Sequence, residues 1–151
     1  MTIFILLAPF VILIVASAFD LKTREIPDSL SIAIVGVSVV AAWLELANIR
    51  WWMLFTGGLL GIAVGALLFR FAQLGGGDAK LIAAIGTFLG PVGLLFALFW
   101  MALGGGLLAL IAMARGQRDY AYGPAIAFGY LGCLIWPLDI IGQLFNYSEI
   151  G

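Results

Sequence analysis

Two aspartates stand out in a chain that can hardly afford charge. Asp20 closes the first apolar run, and Asp78 lies in the stretch Gly75-Gly76-Gly77-Asp78-Ala79-Lys80, between two further apolar stretches. Ionisable groups at the edge of a hydrocarbon region are costly unless they are paired, solvated or functional. Two carboxylates brought together do not easily both ionise, so one keeps a proton. Such a pair can share one water: the charged member takes its proton, and the other donates to a substrate carbonyl oxygen. That chemistry hydrolyses a peptide bond without histidine, serine or metal. Taken singly, each acid also has a structural explanation. Glycines followed by aspartate often end one helix and cap the next, and Asp20 alone reads as an interfacial charge at a helix end.

The composition narrows the alternatives. The chain has 151 residues, 64% hydrophobic and only 10% charged, with mean hydropathy +1.19. A soluble domain carries about 25% charged residues, so this is an integral membrane protein. The net charge of −1 gives no electrostatic case for nucleic acid. There is no histidine, which removes Ser-His and Cys-His nucleophiles and histidine metal sites. The single cysteine, Cys133, lies in an apolar run and reads as a small core residue. Carboxylates are the main catalytic candidates left, and no cofactor is expected.

The acids must be positioned by membrane helices. Residues 3–19 form a first span. Ala16-Ser17-Ala18 resembles a signal-peptidase site, but the start Met1-Thr2-Ile3-Phe4 has no basic residue, which favours a retained helix. Asp20 to Asp28 reads as a polar loop; Pro27 disfavours helix at Ile26, and Asp28 or Ser29 can cap a second helix to Ala47. Trp51 and Trp52 read as interfacial anchors at the start of a third span to Ala72. Gly57, Gly61 and Gly65 recur every fourth residue there, a face suited to close helix packing. The run Ala79 to Ala114 is one very long helix or two spans. Gly90-Pro91 is the best break, with Gly104-Gly105-Gly106 as an alternative kink. A polar loop from Arg115 to Tyr122 precedes a last span from Gly123 to Phe145, with Pro137 inside it.

Charge asymmetry selects between span counts. Six spans put Lys22, Arg24, Arg70, Lys80, Arg115 and Arg118 on one side and only Arg50 on the other, whereas five spans divide the cations almost evenly. The positive-inside rule favours six. The expected fold is therefore all-α: a polytopic membrane protein with six transmembrane helices, both termini non-cytoplasmic, forming one domain over residues 1–151. Asp20 and Asp78 then share the cytoplasmic side. Gly75, Gly76 and Gly77 allow close backbone approach, and an extended glycine segment can pair with a substrate strand. The helix after it would favour a charged Asp78 through its N-terminal dipole.

Read together, these stretches resemble a known family. Asp20 followed by Lys22-Thr23-Arg24-Glu25-Ile26-Pro27-Asp28, and Gly75-Gly76-Gly77-Asp78-Ala79-Lys80-Leu81-Ile82-Ala83-Ala84, resemble the two signature motifs of type IV prepilin peptidases, membrane aspartyl proteases of the GxGD class. The small size is similar to the leader peptidases of tight-adherence (Flp) pilus systems. Tyr122-Gly123-Pro124-Ala125 resembles the start of the family's last helix. The resemblance implies that Asp20 and Asp78 are the catalytic dyad of a multi-pass enzyme of the bacterial inner membrane. It implies cleavage on the cytoplasmic side of a pilin-like precursor, after a glycine that ends a short basic leader. Glu25, Asp28 and Asp119 would then lie where they can attract that leader. Asp28 departs from the asparagine usual in the family. The cytoplasmic insert with a cysteine-based zinc site is missing, so no N-methyltransferase activity is implied. Two other classes are kept open: a small transporter or channel subunit using the acids as ion ligands, and a non-catalytic assembly protein of a pilus or secretion complex.

Overall fold

The computed structural model describes residues 2–23, 25–46, 49–71, 74–116 and 122–135. These form five helices: α1 (Thr2–Thr23), α2 (Asp28–Trp43), α3 (Trp51–Phe71), α4 (Gly76–Ala114) and α5 (Gly123–Ile135). No strand occurs among the described residues. Three helices, α1, α3 and α4, are long and apolar enough to cross a membrane, while α2 and α5 are shorter apolar helices. In so apolar a chain the helix is the way to satisfy the backbone, because each segment then meets its own hydrogen bonds without water.

Several boundaries differ from expectation. Helix α1 does not stop at Asp20 but continues to Thr23. The Thr23 hydroxyl donates to the Phe19 carbonyl at 2.9 Å and receives the Glu25 N–H, so the polar turn closes later than the hydropathy suggests. At α2 neither Asp28 nor Ser29 is the cap. Pro27 holds that position in an extended conformation with no side-chain cap bond, and Asp28 begins the first turn. That helix ends at Trp43, short of Ala47. Arg24, Arg118, Asp119 and the expected last span beyond Ile135, including Pro137, lie outside the described residues.

Helix α4 is broken at one point. Gly90 has φ 70° and ψ −179°, which only glycine adopts at ease, and Pro91 follows without an N–H to give. The helix runs unbroken through Gly104-Gly105-Gly106, so the alternative kink is not used. The second arm turns back: Leu98, Met101 and Gly105 line one cavity with Val64 and Leu68 of α3 and with Leu74, which precedes the first arm.

Glycine sets the closeness of the packing. A Cβ at Gly61 would stand 2.7 Å from the Ala83 Cα and 2.9 Å from the Ile82 carbonyl oxygen. One at Gly65 would meet the Ala79 carbonyl oxygen at 2.7 Å, and one at Gly57 would strike Gly86. The repeat expected from spacing therefore seats α3 on the first arm of α4, backbone to backbone. Gly129 does the same for α5 against Met101 of the second arm. Helix α5 is tied to α1 by Tyr130, fully buried, which stacks on Phe10 and donates its hydroxyl to the Leu6 carbonyl at 2.8 Å. Helix α2 meets the first arm through Ser38 and Thr87, whose hydroxyls lie 3.0 Å apart. Cys133 is free and buried, as its apolar setting suggests.

Gly61→Val should separate α3 from α4 and cost about 1–3 kcal/mol, as overpacking of a tight contact does. Gly36→Ala meets nothing within 4 Å and should be neutral or stabilise by about 0.5–1 kcal/mol, the usual helix-interior gain. Denaturant unfolding in detergent micelles checks both.

Candidate active site

Three chain segments converge on one cleft. It holds about 290 Å³ and is lined by Asp20, Glu25, Ile26, Gly75, Gly76, Gly77 and Asp78. Of the residues singled out in the sequence, the structure thus brings together both aspartates, all three glycines and Glu25. Asp20 comes from the last turn of α1, the loop after it contributes Glu25 and Ile26, and Asp78 comes from the first turn of α4.

Each carboxylate is only 6% exposed. Asp20 is held by α5: the Gly123 N–H donates to its Oδ2 at 2.7 Å, across 103 residues of sequence. That N–H opens a helix, where four backbone donors lack intrahelical partners, so a carboxylate is a natural acceptor. The approach is tight enough to favour glycine. A Cβ at Gly123 would stand 3.0 Å from Asp20 Oδ2 and 3.1 Å from the Ser17 Cα.

Asp78 sits three residues into α4, after Gly75 at the cap position. It reaches back to the Gly75 backbone, in the manner of an acid in a capping box. Its other oxygen, Oδ1, is buried with no hydrogen-bond partner. A buried acceptor of this kind is met by a donor from water or from another group.

The triglycine is not an extended strand. Only Gly75 has extended dihedrals, φ −59° and ψ 146°; Gly76 and Gly77 form the first turn of α4. Gly77 must be glycine because Ile26 lies against it, with the Ile26 Cβ 2.9 Å from where a Gly77 Cβ would be. The stretch able to pair with an incoming chain shrinks to the backbone around Gly75. Asp28 is not in the cleft either. Lys80 donates to both of its carboxylate oxygens at 2.7 Å, with both side chains more than half exposed. The cation that neighbours Asp78 in sequence therefore points to Asp28, and it neutralises the charge expected to draw a leader. Gly123 and Ile26 were not singled out as site residues. The Gly123-Pro124 pair does mark a helix start, but its partner at Asp20 is a tertiary contact that no local pattern carries.

Residues 7–110 match the Type IV leader peptidase family, and the chain belongs to that family. The chain is 28% identical over 124 residues to a type 4 prepilin-like proteins leader peptide-processing enzyme of Escherichia coli, covering 78% of this chain and 46% of that protein. It is 29% identical over 153 residues to a prepilin leader peptidase/N-methyltransferase of Xanthomonas campestris, covering 91% of this chain and 52% of that protein. A Burkholderia pseudomallei protein of the same description is 30% identical over 133 residues, covering 78% and 41%. The chain spans about half the length of the curated relatives it matches. No solved structure matches it.

The Asp28–Lys80 pair is exposed and should contribute little. A double-mutant cycle with Asp28→Asn and Lys80→Met, read by denaturant unfolding, should give a coupling of about 1 kcal/mol or less, the range of exposed ion pairs.

Proposed function

We propose that this chain is a prepilin leader peptidase: a membrane aspartyl endopeptidase that cuts the leader from type IV pilin-like precursors. The observation that carries the reading is the cleft itself. Two buried carboxylates from distant helices line it together, between a polar loop and the extended backbone at Gly75.

In this mechanism Asp20 and Asp78 act on one water. One member of the pair is ionised and the other holds a proton. Asp20 Oδ2 is occupied as the acceptor of the Gly123 N–H, so its other oxygen and the Asp78 carboxyl face the reaction. The ionised member takes a proton from water as that water attacks the scissile carbonyl. The protonated member donates to the carbonyl oxygen as negative charge develops there. Collapse of the tetrahedral intermediate expels the amine, which takes a proton from the dyad. No cofactor enters. The leader is drawn by Glu25, which lines the cleft. The backbone at Gly75 aligns the chain to be cut.

The enzyme resides in the bacterial inner membrane, crosses it six times and keeps both termini non-cytoplasmic, as one peptidase domain. Support comes from the break at Gly90, which divides α4 into two arms. It comes also from the return of the second arm beside α3; six crossings put Lys22, Lys80 and Arg115 on one face, in line with the positive-inside rule. Of the two activities named in the longer relatives, the dyad accounts for the peptidase.

The test is a cleavage assay in membranes with a pilin-like precursor, read by the mass of its new N-terminus. Asp20→Asn and Asp78→Asn should each lose on the order of 10³-fold or more in rate, since either half alone lacks the acid–base partner. Wild-type cleavage by either inserted variant contradicts the reading. Gly123→Ala should lower kcat roughly tenfold to a hundredfold with KM little changed, because it displaces Asp20 rather than the substrate.

A further inference from the structure

The turn between α1 and α2 is fastened at both ends and in the middle. At its near end the Thr23 hydroxyl donates to the Glu25 carbonyl at 3.1 Å and receives the Glu25 N–H at 3.4 Å. In the middle Ile26 lies on Gly77, with its Cβ 2.9 Å and its carbonyl oxygen 3.3 Å from where a Gly77 Cβ would be. At the far end Asp28 opens α2 and receives the Lys80 ammonium on both carboxylate oxygens, each at 2.7 Å. Glu25 and Ile26 supply one wall of the dyad cleft, and Gly76 and Gly77 supply the wall that faces them. Asp20 stands eight residues before Asp28, and Asp78 two residues before Lys80. The ion pair therefore closes a short circuit between the two carboxylates: along the turn from Asp20, across the Lys80–Asp28 contact, and back one helical step to Asp78.

We propose that Lys80 and Asp28 are positioning residues for the dyad: their contact holds the α1–α2 turn against the first turn of α4, and so sets how Asp78 stands to Asp20. The inference rests on the peptidase reading and gives a role to two charges that do not line the cleft. Both side chains are more than half exposed, so the pair adds little to stability. Its effect is to weight one arrangement of the turn over others, by no more than its own free energy. Proton transfer between two carboxylates and one water depends steeply on placement, and a misplacement of about 1 Å can cost on the order of 10²-fold. A modest weighting is therefore visible in the chemical step. Glu25 keeps both of its bonds to Thr23 when the pair is lost, so the wall that draws the leader is disturbed less than the alignment of the acids.

The test is steady-state cleavage of a pilin-like precursor by the full chain in membranes, with kcat and KM resolved. Asp28→Ala and Lys80→Met should each lower kcat about two- to fivefold, the range through which so weak a pair shifts an equilibrium, while KM changes less. The double variant should be no slower than the slower single one, because both changes remove the same contact. Lys80→Arg, which keeps a charged donor, should retain more of the rate than Lys80→Met. Asp28→Asn, which keeps an acceptor without the charge, should fall between wild type and Asp28→Ala, and it serves if the alanine variant does not insert. Wild-type kcat in either single variant, losses that multiply, a fall confined to KM, or an arginine variant no better than the methionine one overturns the proposal. A loss on Lys80→Met alone would mean that the ammonium acts by itself, and it counts among these. Failure of the wild-type protein to cut the precursor would instead sink the peptidase reading, so the two outcomes are distinct.

Discussion

Burial of two carboxylates in an apolar chain is the constraint that shapes this molecule. Asp20 and Asp78 are each 6% exposed, in a chain with only 10% charged residues. A buried carboxylate must find donors or remain a liability. Asp20 finds one in the opening N–H of α5, and Asp78 finds one at the start of its own helix. The compensation is incomplete by one atom, Asp78 Oδ1.

The helices follow from that demand. Donors reach Asp20 only if α5 approaches α1 to within the thickness of a backbone, hence glycine at 123. Asp78 faces the same cleft only if α4 starts beside the α1–α2 turn, which requires Ile26 to lie on Gly77. The depth of α4 against α3 is set in turn by the glycine face at 57, 61 and 65. Apolar surfaces gain nothing by association within lipid, so this backbone contact supplies what the hydrophobic effect does not. The break at Gly90 lets the second arm return to the same end of the molecule and meet Tyr122.

Much of this was legible in the sequence, for physical reasons. An all-helical membrane protein follows from hydropathy, and the chain's membership of the type IV leader peptidase family agrees with its paired motifs. The Gly90 break and the α3 glycine face have local causes, a residue tolerant of positive φ before a proline and small residues at helical spacing, so they could be read without a fold. Asp20, Asp78, Glu25 and the three glycines line one cleft; the resemblance of the two motifs read together, not either stretch alone, implied that the aspartates meet. What escaped depends on partners far along the chain. Helix α1 outruns its apolar segment because Thr23 closes the turn, Asp28 is claimed by Lys80, and Gly123 matters only through Asp20. The triglycine looked extended because glycine permits that, yet the first turn of α4 uses two of the three as helix. Permission is not instruction, and the tertiary contact with Ile26 decides.

The central claim is that Asp20 and Asp78 act as one unit on one water. Its most direct test is the residual cleavage rate of the Asp20→Asn/Asp78→Asn double variant beside both single variants, in the same membranes and with the same precursor. Residues acting as a unit are strongly non-additive, so the double variant should cut no more slowly than the slower single variant. Losses that multiply would show two independent contributions and contradict the dyad.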